Sequence, residues 1–351
     1  MNPLNTPAGK HVRVDHVALR GVVSASPRTE VRNQDLTDRF SPELIEEIGK
    51  MTGVRARRVA AENQTTSDLA EAAARELLAD LGWEADSVDA LVFVSQTPDY
   101  RLPATACALQ SRLQLGTHCA AFDVNLGCSG YVYGLWLASR LIDGHAVKRV
   151  LLLAGDTSSK LVNPDDRATA LLFGDAGTAT ALEYDANAPA TPYVLGTDGR
   201  GEMNLIIPKS TYRGACGTTP ALPESHPDYL YMNGPEVFNF TIRSVPLMVN
   251  AVLEGAGKTV NDIGAALFHQ ANAFMLKHIA KKLKLPAEKF PLNIDRFGNT
   301  SSATIPLLMS TMEDRQALAG DVVMAGFGVG YSWAAALVSL QQMRVCRWVE
   351  V

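Results

Sequence analysis

Residues 124–130 read Val-Asn-Leu-Gly-Cys-Ser-Gly, and residues 295–301 read Asp-Arg-Phe-Gly-Asn-Thr-Ser. Each stretch places a glycine directly before a polar residue, which is Cys128 in the first and Asn299 in the second. Each then leads into an apolar segment with the composition of a helix. Because glycine tolerates a tight or left-handed turn at such a position, we interpret the two stretches as equivalent points of an internal repeat.

Two further pairs of segments repeat in the same order. Residues 77–93 resemble residues 252–268, and each copy predicts an amphipathic helix, a glycine that ends it, a polar turn and a buried strand. Residues 173–182 resemble residues 327–336, and both begin with Phe-Gly. Three matches in one order indicate two related halves, which we expect at residues 10–185 and 190–351. The alternation of strands and helices predicts an α/β fold with buried sheets.

Composition and charge exclude several functional classes. The chain of 351 residues is 47% hydrophobic and carries a formal charge of −5, which gives no electrostatic footprint for nucleic acid. No apolar run approaches the roughly 20 residues of a membrane span, and the first residues lack the pattern of a secretory signal. The five cysteines form no Cys-x-x-Cys pair. We therefore expect reduced thiols and a cytoplasmic protein.

Three residues at the ends of repeated elements suggest chemistry. Cys128 follows a turn that opens a helix, where the helix dipole and free N–H groups favour a thiolate; a small buried packing residue is the alternative. His269 ends the second predicted strand, a position that suits a cleft at the end of a sheet, although a structural histidine would fit equally. Together with Asn299 they predict one active site.

These motifs are similar to those of the β-ketoacyl-acyl carrier protein synthase III family of the thiolase superfamily. The similarity covers nearly the whole chain, and its motifs lie at residues 52–55, 122–130, 166–175, 234–238, 269–272 and 298–302. The resemblance implies a thiolase fold of five layers, α-β-α-β-α, built from two halves related by a pseudo-two-fold axis. It also implies a homodimer.

The resemblance assigns the catalytic triad to Cys128, His269 and Asn299. Cys128 would carry the acyl group, and the backbone N–H groups of Cys128 and Gly330 would hold the oxyanion. His269 and Asn299 would stabilise the enolate that forms as a malonyl-type thioester loses carbon dioxide. The expected product is a 3-oxoacyl thioester of fatty-acid or related lipid or polyketide biosynthesis. The expected partners are acyl carrier protein and acyl thioesters, with no metal and no redox cofactor.

The same resemblance predicts residues that bind substrate and partner. Arg167 and Asn272 are expected to contact the substrate. Leu102 stands where the family often has a phenylalanine that closes the acyl pocket across the dimer interface, and its smaller side chain suggests a longer acyl group. Lys281 and Lys282 are expected to dock the carrier protein.

Four positions depart from the family's pattern. Glu47 and Met51 replace a tryptophan and an arginine that help hold coenzyme A in the typical member, and Asn239 and Phe274 replace basic residues of the docking surface. Loss of a stacking ring and a phosphate-binding charge should weaken the capture of coenzyme A. We hypothesise that the acyl donor arrives on a carrier protein instead.

Other functional classes of the same fold are also open to this sequence. An acyltransferase that moves the Cys128 acyl group to an oxygen, nitrogen or unusual carbon nucleophile remains the main alternative. A hydroxymethylglutaryl-type synthase needs a glutamate where this chain has Gln96, and a degradative thiolase needs a second cysteine that residues 326–333 lack. An inactive partner subunit is disfavoured because the triad is intact.

Overall fold

The computed structural model describes residues 9–209, 211–217, 222 and 226–351. The strands are β1 (Lys10–Val14), β2 (Val17–Ser26), β3 (Glu30–Arg32), β4 (Ala56–Arg58), β5 (Ala90–Val94), β6 (Ala120–Val124), β7 (Arg149–Thr157), β8 (Asp175–Tyr184), β9 (Thr191–Thr197), β10 (Leu205–Ile206), β11 (Tyr231–Met232), β12 (Ala265–Phe268), β13 (Asp321–Gly328), β14 (Ser332–Ser339) and β15 (Val345–Glu350). The α-helices are α1 (Pro42–Thr52), α2 (Thr66–Leu81), α3 (Thr105–Arg112), α4 (Gly130–Leu141), α5 (Tyr212–Ala215), α6 (Gly234–Gly255), α7 (Ala273–Leu283), α8 (Ile294–Phe297) and α9 (Thr304–Thr311).

Two large sheets repeat one strand order. The first runs β15-β2-β8-β7-β5-β6 and the second runs β1-β9-β14-β13-β12. The four strands β2-β8-β7-β5 correspond to β9-β14-β13-β12, and in both sets only the last pair is parallel. This correspondence confirms the internal repeat that the sequence predicts.

The two sequence halves exchange their terminal strands. β1, from the start of the chain, pairs with β9 in the second sheet, and β15, from its end, pairs with β2 in the first. The predicted halves, residues 10–185 and 190–351, therefore describe the repeat along the chain, whereas each sheet draws one strand from the opposite half. Two short sheets, β3-β4 and β10-β11, lie apart from the repeat.

The apolar faces of the helices and sheets determine how the layers stack. α4 and α9 lie between the sheets and share one hydrophobic core with both of them. α2 and α3 pack on the outer face of the first sheet, and α6 and α7 pack on that of the second. The sheets are covered on both faces, so central strands such as β5 and β7 are apolar throughout rather than alternating. These are the five α-β-α-β-α layers of the thiolase fold.

Helix caps account for the ends of the outer repeated helices. The side chain of Thr65 accepts a hydrogen bond from the N–H of Asp68 at the start of α2, and the Asp68 carboxylate accepts one from the Thr65 N–H. Gly82 ends α2 in the left-handed conformation, with φ of 63°. In the second copy α6 ends at Gly255, and Gly257 takes the left-handed conformation, with φ of 66°. Both glycines end their helices as predicted.

The fold brings several strand ends to one place. β6 leads into the turn before α4, β12 ends directly before His269, and β13 ends at Gly328.

Among the residues that the structure describes, no helix combines the length and the apolar character needed to cross a membrane.

Candidate active site

Cys128 lies in the turn between β6 and α4, pressed against β13. Its exposed fraction is 9%. A side chain on Gly326 would come within 2.9 Å of the Cys128 carbonyl oxygen, and one on Gly328 would come within 2.7 Å of Cβ and 2.9 Å of Sγ. Two glycines on β13 therefore allow the strand to approach the cysteine closely.

The electrostatic environment of Cys128 differs from the sequence expectation. Burial raises the pKa of the thiol to about 11, and the charge of Asp156 adds to the rise. Hydrogen bonds from the N–H groups of Val329 and Cys128 and from the Ser301 hydroxyl oppose it but do not offset it. Burial therefore opposes, in the resting state, the helix-stabilised thiolate that the sequence predicts.

The structure places the N–H of Val329 beside the Cys128 sulfur, one residue before the predicted oxyanion donor Gly330. The N–H groups of Val329 and Cys128 both oppose the rise in the pKa of the Cys128 thiol, which places them near its sulfur. Val329 lines the cavity beside Cys128, whereas Gly330 is absent from its wall. The glycine that the approach requires is Gly328, whose added Cβ would collide with the cysteine.

Polar contacts fix the loop that carries Val329. The hydroxyls of Ser129 and Ser332 lie 2.5 Å apart, and the Ser332 hydroxyl donates to the Val329 carbonyl at 2.9 Å. On its other side the loop exchanges two backbone hydrogen bonds between Tyr331 and Asp198. The loop is therefore tied both to the start of the nucleophile helix and to β9.

His269 follows β12 and is 1% exposed. Its backbone N–H donates to the Ala325 carbonyl at 2.8 Å, and its ring meets Phe327 edge-on at 5.6 Å. The ring Nδ1 lies 2.7 Å from the Thr304 hydroxyl. Burial lowers the pKa of His269 to about 3, against the opposing effect of a hydrogen bond to the Ser301 carbonyl. The imidazole is consequently neutral at physiological pH.

Asn299 is held by the first half of the chain. Its backbone N–H donates to the Leu172 carbonyl at 2.9 Å, and its carbonyl accepts from Gly174 at 3.1 Å. The side-chain oxygen accepts from the Ser301 N–H at 2.9 Å. Since that oxygen is occupied, the Asn299 NH₂ group is the part of the amide left to donate to a substrate in the cavity.

Asp156 and Ser301 belong to the site but were missed from the sequence. Asp156 is buried at the end of β7, and its two oxygens accept from the Gln96 N–H at 2.7 Å and from the Ser302 hydroxyl at 2.9 Å. Burial raises the pKa of its carboxyl. A polar residue after an apolar strand is the signal that identified His269, and the same rule would have found Asp156. Ser301, with φ of 53°, carries no comparable signal.

One cavity of about 450 Å³ unites the predicted triad. Cys128, His269 and Asn299 all line it. Gln96 lies in its wall, at the place where a synthase of the hydroxymethylglutaryl type needs a glutamate. Much of the remaining wall is apolar and is contributed by residues such as Leu205, Ile206, Leu230, Met232 and Met275. Such a cavity suits a slender thioester substrate with polar groups only at its reacting end.

The predicted substrate residues take different positions. Asn272 lines the cavity and caps α7 by accepting from the Met275 N–H at 2.8 Å. Arg167 is exposed and outside the cavity wall. Leu102 is 77% exposed and also outside the wall, although its neighbours Tyr100 and Arg101 line it.

The predicted docking lysines lie on the last turn of α7. Both are exposed, and the Lys282 ammonium donates to the Ile242 carbonyl of α6 at 3.1 Å. Lys282 therefore also joins the two outer helices.

Within the described ranges, no group of three or more histidine, cysteine or acidic side chains is arranged to hold a metal ion.

Comparison with known proteins gives one family. The sequence profile of 3-oxoacyl-[acyl-carrier-protein (ACP)] synthase III matches residues 122–199, and the profile of its C-terminal part matches residues 253–340. The β-ketoacyl-[acyl-carrier-protein] synthase III of Roseiflexus castenholzii is 36% identical over 324 residues, which cover 92% of this chain and 97% of the relative. That of Symbiobacterium thermophilum is 37% identical over 331 residues, covering 92% and 98%.

A solved structure agrees with these relatives. The 3-oxoacyl-(acyl-carrier protein) synthase from Burkholderia xenovorans LB400 superposes with a TM-score of 0.93 at 47% identity, over 98% of this chain and 99% of that one. The resemblance inferred from the motifs is thereby confirmed. The chain belongs to the β-ketoacyl-[acyl-carrier-protein] synthase III family of acyl-transferring condensing enzymes.

Proposed function

We propose that this chain transfers an acyl group from a thioester to Cys128 and then condenses it with a malonyl-type thioester, giving a 3-oxoacyl product. The observation that carries the proposal is the convergence of Cys128, His269 and Asn299 on one cavity, with the backbone N–H groups of Cys128 and Val329 near the cysteine sulfur. The relatives' shared name, β-ketoacyl-[acyl-carrier-protein] synthase III, supports the same reaction. The product would serve fatty-acid or related lipid or polyketide biosynthesis.

In the first half-reaction the Cys128 sulfur attacks the acyl carbon as the thiol loses its proton. The N–H groups of Cys128 and Val329 stabilise the oxyanion. The bond from carbon to the donor's sulfur then breaks, and the donor leaves as a free thiol. The cysteine retains the acyl group as a thioester.

In the second half-reaction the malonyl-type thioester loses carbon dioxide. The electron pair of the broken C–C bond moves to the thioester oxygen, where His269 Nε2–H and the Asn299 amide donate hydrogen bonds to the enolate. The enolate carbon attacks the acyl carbon, and the sulfur of Cys128 departs. Transfer to another nucleophile would not use the Asn299 donor, so the site favours condensation.

The departures on α1 support a carrier-bound donor. Glu47 and Met51 are both exposed on this helix. A carboxylate and a thioether offer no attraction for the phosphates of coenzyme A. Arg167, which the resemblance places beside the adenine, is exposed as well. We therefore assign the acyl donor to a carrier protein, with both substrates presented as thioesters and no further cofactor.

The outer face of α7 supports a docking surface with an apolar component. Phe274 is 47% exposed and stacks on Phe238, with ring centroids 5.7 Å apart. Lys281 and Lys282 lie further along the same helix. An acidic carrier protein would meet the two ammonium groups and cover the phenylalanine ring.

The edge of the first sheet supports a homodimer. Among the strands of the described residues, β6 pairs with β5 alone, so its outer edge offers backbone hydrogen bonds to a second chain. Leu102, close in sequence to the cavity residue Tyr100, would then approach the partner's acyl pocket. Leu102→Glu should lower the mass measured by light scattering, whereas Leu247→Glu, an exposed site on α6, should not. Equal masses in the two variants would remove the homodimer assignment.

All five cysteines are free, which supports a reducing, cytoplasmic setting.

The reaction is tested by intact-protein mass spectrometry with matched acyl groups on carrier protein and on coenzyme A. A mass gain that Cys128→Ala lacks, followed by release of carbon dioxide and a 3-oxoacyl product on addition of malonyl-carrier protein, is the expected result. A gain that malonyl thioesters leave untouched would favour the acyltransferase. Saturable acylation at low concentrations of acyl-coenzyme A would overturn the carrier assignment.

A further inference from the structure

Thr304 and Ser301 form a polar triangle with the buried ring of His269. The Thr304 hydroxyl lies 2.7 Å from His269 Nδ1 and 2.9 Å from the Ser301 carbonyl oxygen. That carbonyl also lies close enough to the imidazole to affect its pKa. Thr304 is 2% exposed at the first position of α9. The far side of the ring is left to face the cavity.

The Thr304 hydroxyl carries one hydrogen and has two acceptors within reach, the Ser301 carbonyl oxygen and His269 Nδ1. If the hydrogen goes to the Ser301 carbonyl, which can only accept, the hydroxyl oxygen accepts from Nδ1 and leaves Nε2 without a hydrogen. A hydroxyl can also donate, so Thr304 is able to give its hydrogen to Nδ1 and leave the ring hydrogen on Nε2. A neutral imidazole carries one hydrogen only, and burial keeps His269 neutral by lowering its pKa to about 3. The tautomer therefore decides whether Nε2 can donate.

The proposed condensation requires Nε2–H, because Nε2 must donate to the enolate oxygen beside Asn299. Thr304 is the neighbour of Nδ1 whose hydrogen makes that state possible. We propose that Thr304 is a positioning residue that holds His269 as the Nε2–H tautomer for the condensation step. This assignment rests on the proposed function and adds to it a residue that touches neither substrate.

The assignment predicts a split between the half-reactions in Thr304→Val. Valine has nearly the same shape but has no hydrogen to donate to Nδ1, so the Nε2–H tautomer loses the contact that holds it. Acylation of Cys128, which relies on backbone N–H donors, should stay within about twofold of wild type. Condensation should fall by about 10²–10³-fold, the usual effect of removing one donor from a developing oxyanion. Thr304→Ser restores the hydroxyl and should recover most of the condensation rate.

The experiment measures both half-reactions and the tautomer itself. Acylation is followed by intact mass, condensation by carbon dioxide release, and the ring by ¹⁵N NMR of histidine-labelled protein, with the His269 signals identified by their loss in His269→Gln. Wild type and Thr304→Ser should show Nε2–H, and Thr304→Val should show Nδ1–H.

Three results would overturn the assignment: Nδ1–H in wild type, wild-type condensation by Thr304→Val, or an equal loss of both half-reactions in the valine and serine variants. The NMR result does not depend on turnover. Failure of wild type itself to acylate or decarboxylate would instead count against the proposed function.

Discussion

Gly328→Ala should disable the nucleophile while leaving the fold in place. The added Cβ would stand 2.7 Å from Cys128 Cβ and 2.9 Å from Sγ, whereas carbon atoms in contact prefer roughly 3.5–4.0 Å. Relief of the overlap requires a shift of about 1 Å between β13 and the cysteine. A misplacement of that size costs about 10²-fold in rate. Gly328 also has φ of 155°, a conformation that alanine rarely adopts.

The assay is the rate of Cys128 acylation followed by intact mass, together with thermal unfolding of each variant. Gly320→Ala is the matched control, because a Cβ there meets no atom within 4 Å and its φ is ordinary. We expect acylation by Gly328→Ala to fall by about 10²-fold and the control to match wild type. Acylation by Gly328→Ala at the wild-type rate, with a folded protein, would refute the geometric reasoning.

Three further predictions concern charge, donation and capping. Because burial raises the pKa of Cys128 to about 11, its alkylation by iodoacetamide should rise about tenfold per pH unit from pH 7 to 9; a plateau there would indicate a resting thiolate. Asn299→Asp loses the amide donor, so condensation should fall about 10²-fold while acylation persists; parallel losses would contradict this role. The Asp123 carboxylate accepts hydrogen bonds from the N–H groups of Thr105 and Ala106 at 2.7 Å each. Asp123→Ala should therefore lower the free energy of unfolding, measured by urea titration, by about 1–2 kcal/mol. An unchanged unfolding midpoint would refute this capping role.

The internal repeat could be predicted because short local sequence patterns mark it. Gly82 and Gly257 mark helix ends, and Gly127 and Gly298 precede the two equivalent turns, so each copy could be aligned without knowledge of the fold. The exchange of β1 and β15 had no such signal. Strand pairing between the two ends of a chain depends on the closing geometry of the whole sheet, which no window of sequence contains.

The features of the active site also divide into those that local sequence predicts and those that it does not. Cys128, His269 and Asn299 could be found because each residue type suits its chemistry at an element's end. Val329 could not, because a backbone N–H is independent of residue type and the neighbouring glycines drew attention to Gly330. The environment of Cys128 could be predicted only in part for a related reason: helix position is visible in the sequence, whereas the burial that raises the pKa of the thiol depends on β13 packing from the other half of the chain.

Asp156 shows how the two halves depend on each other at the site. One of its oxygens accepts from the Gln96 N–H, beside β5 of the first half, and the other accepts from Ser302, three residues after Asn299 in the second. Because this buried carboxyl accepts hydrogen bonds from both segments, it positions the Asn299 turn only when both sheets are formed. The Cys128 turn and its repeat equivalent at Asn299 line one cavity and have diverged in role, since Cys128 offers a nucleophile where Asn299 offers a hydrogen-bond donor. The cavity between them requires both halves.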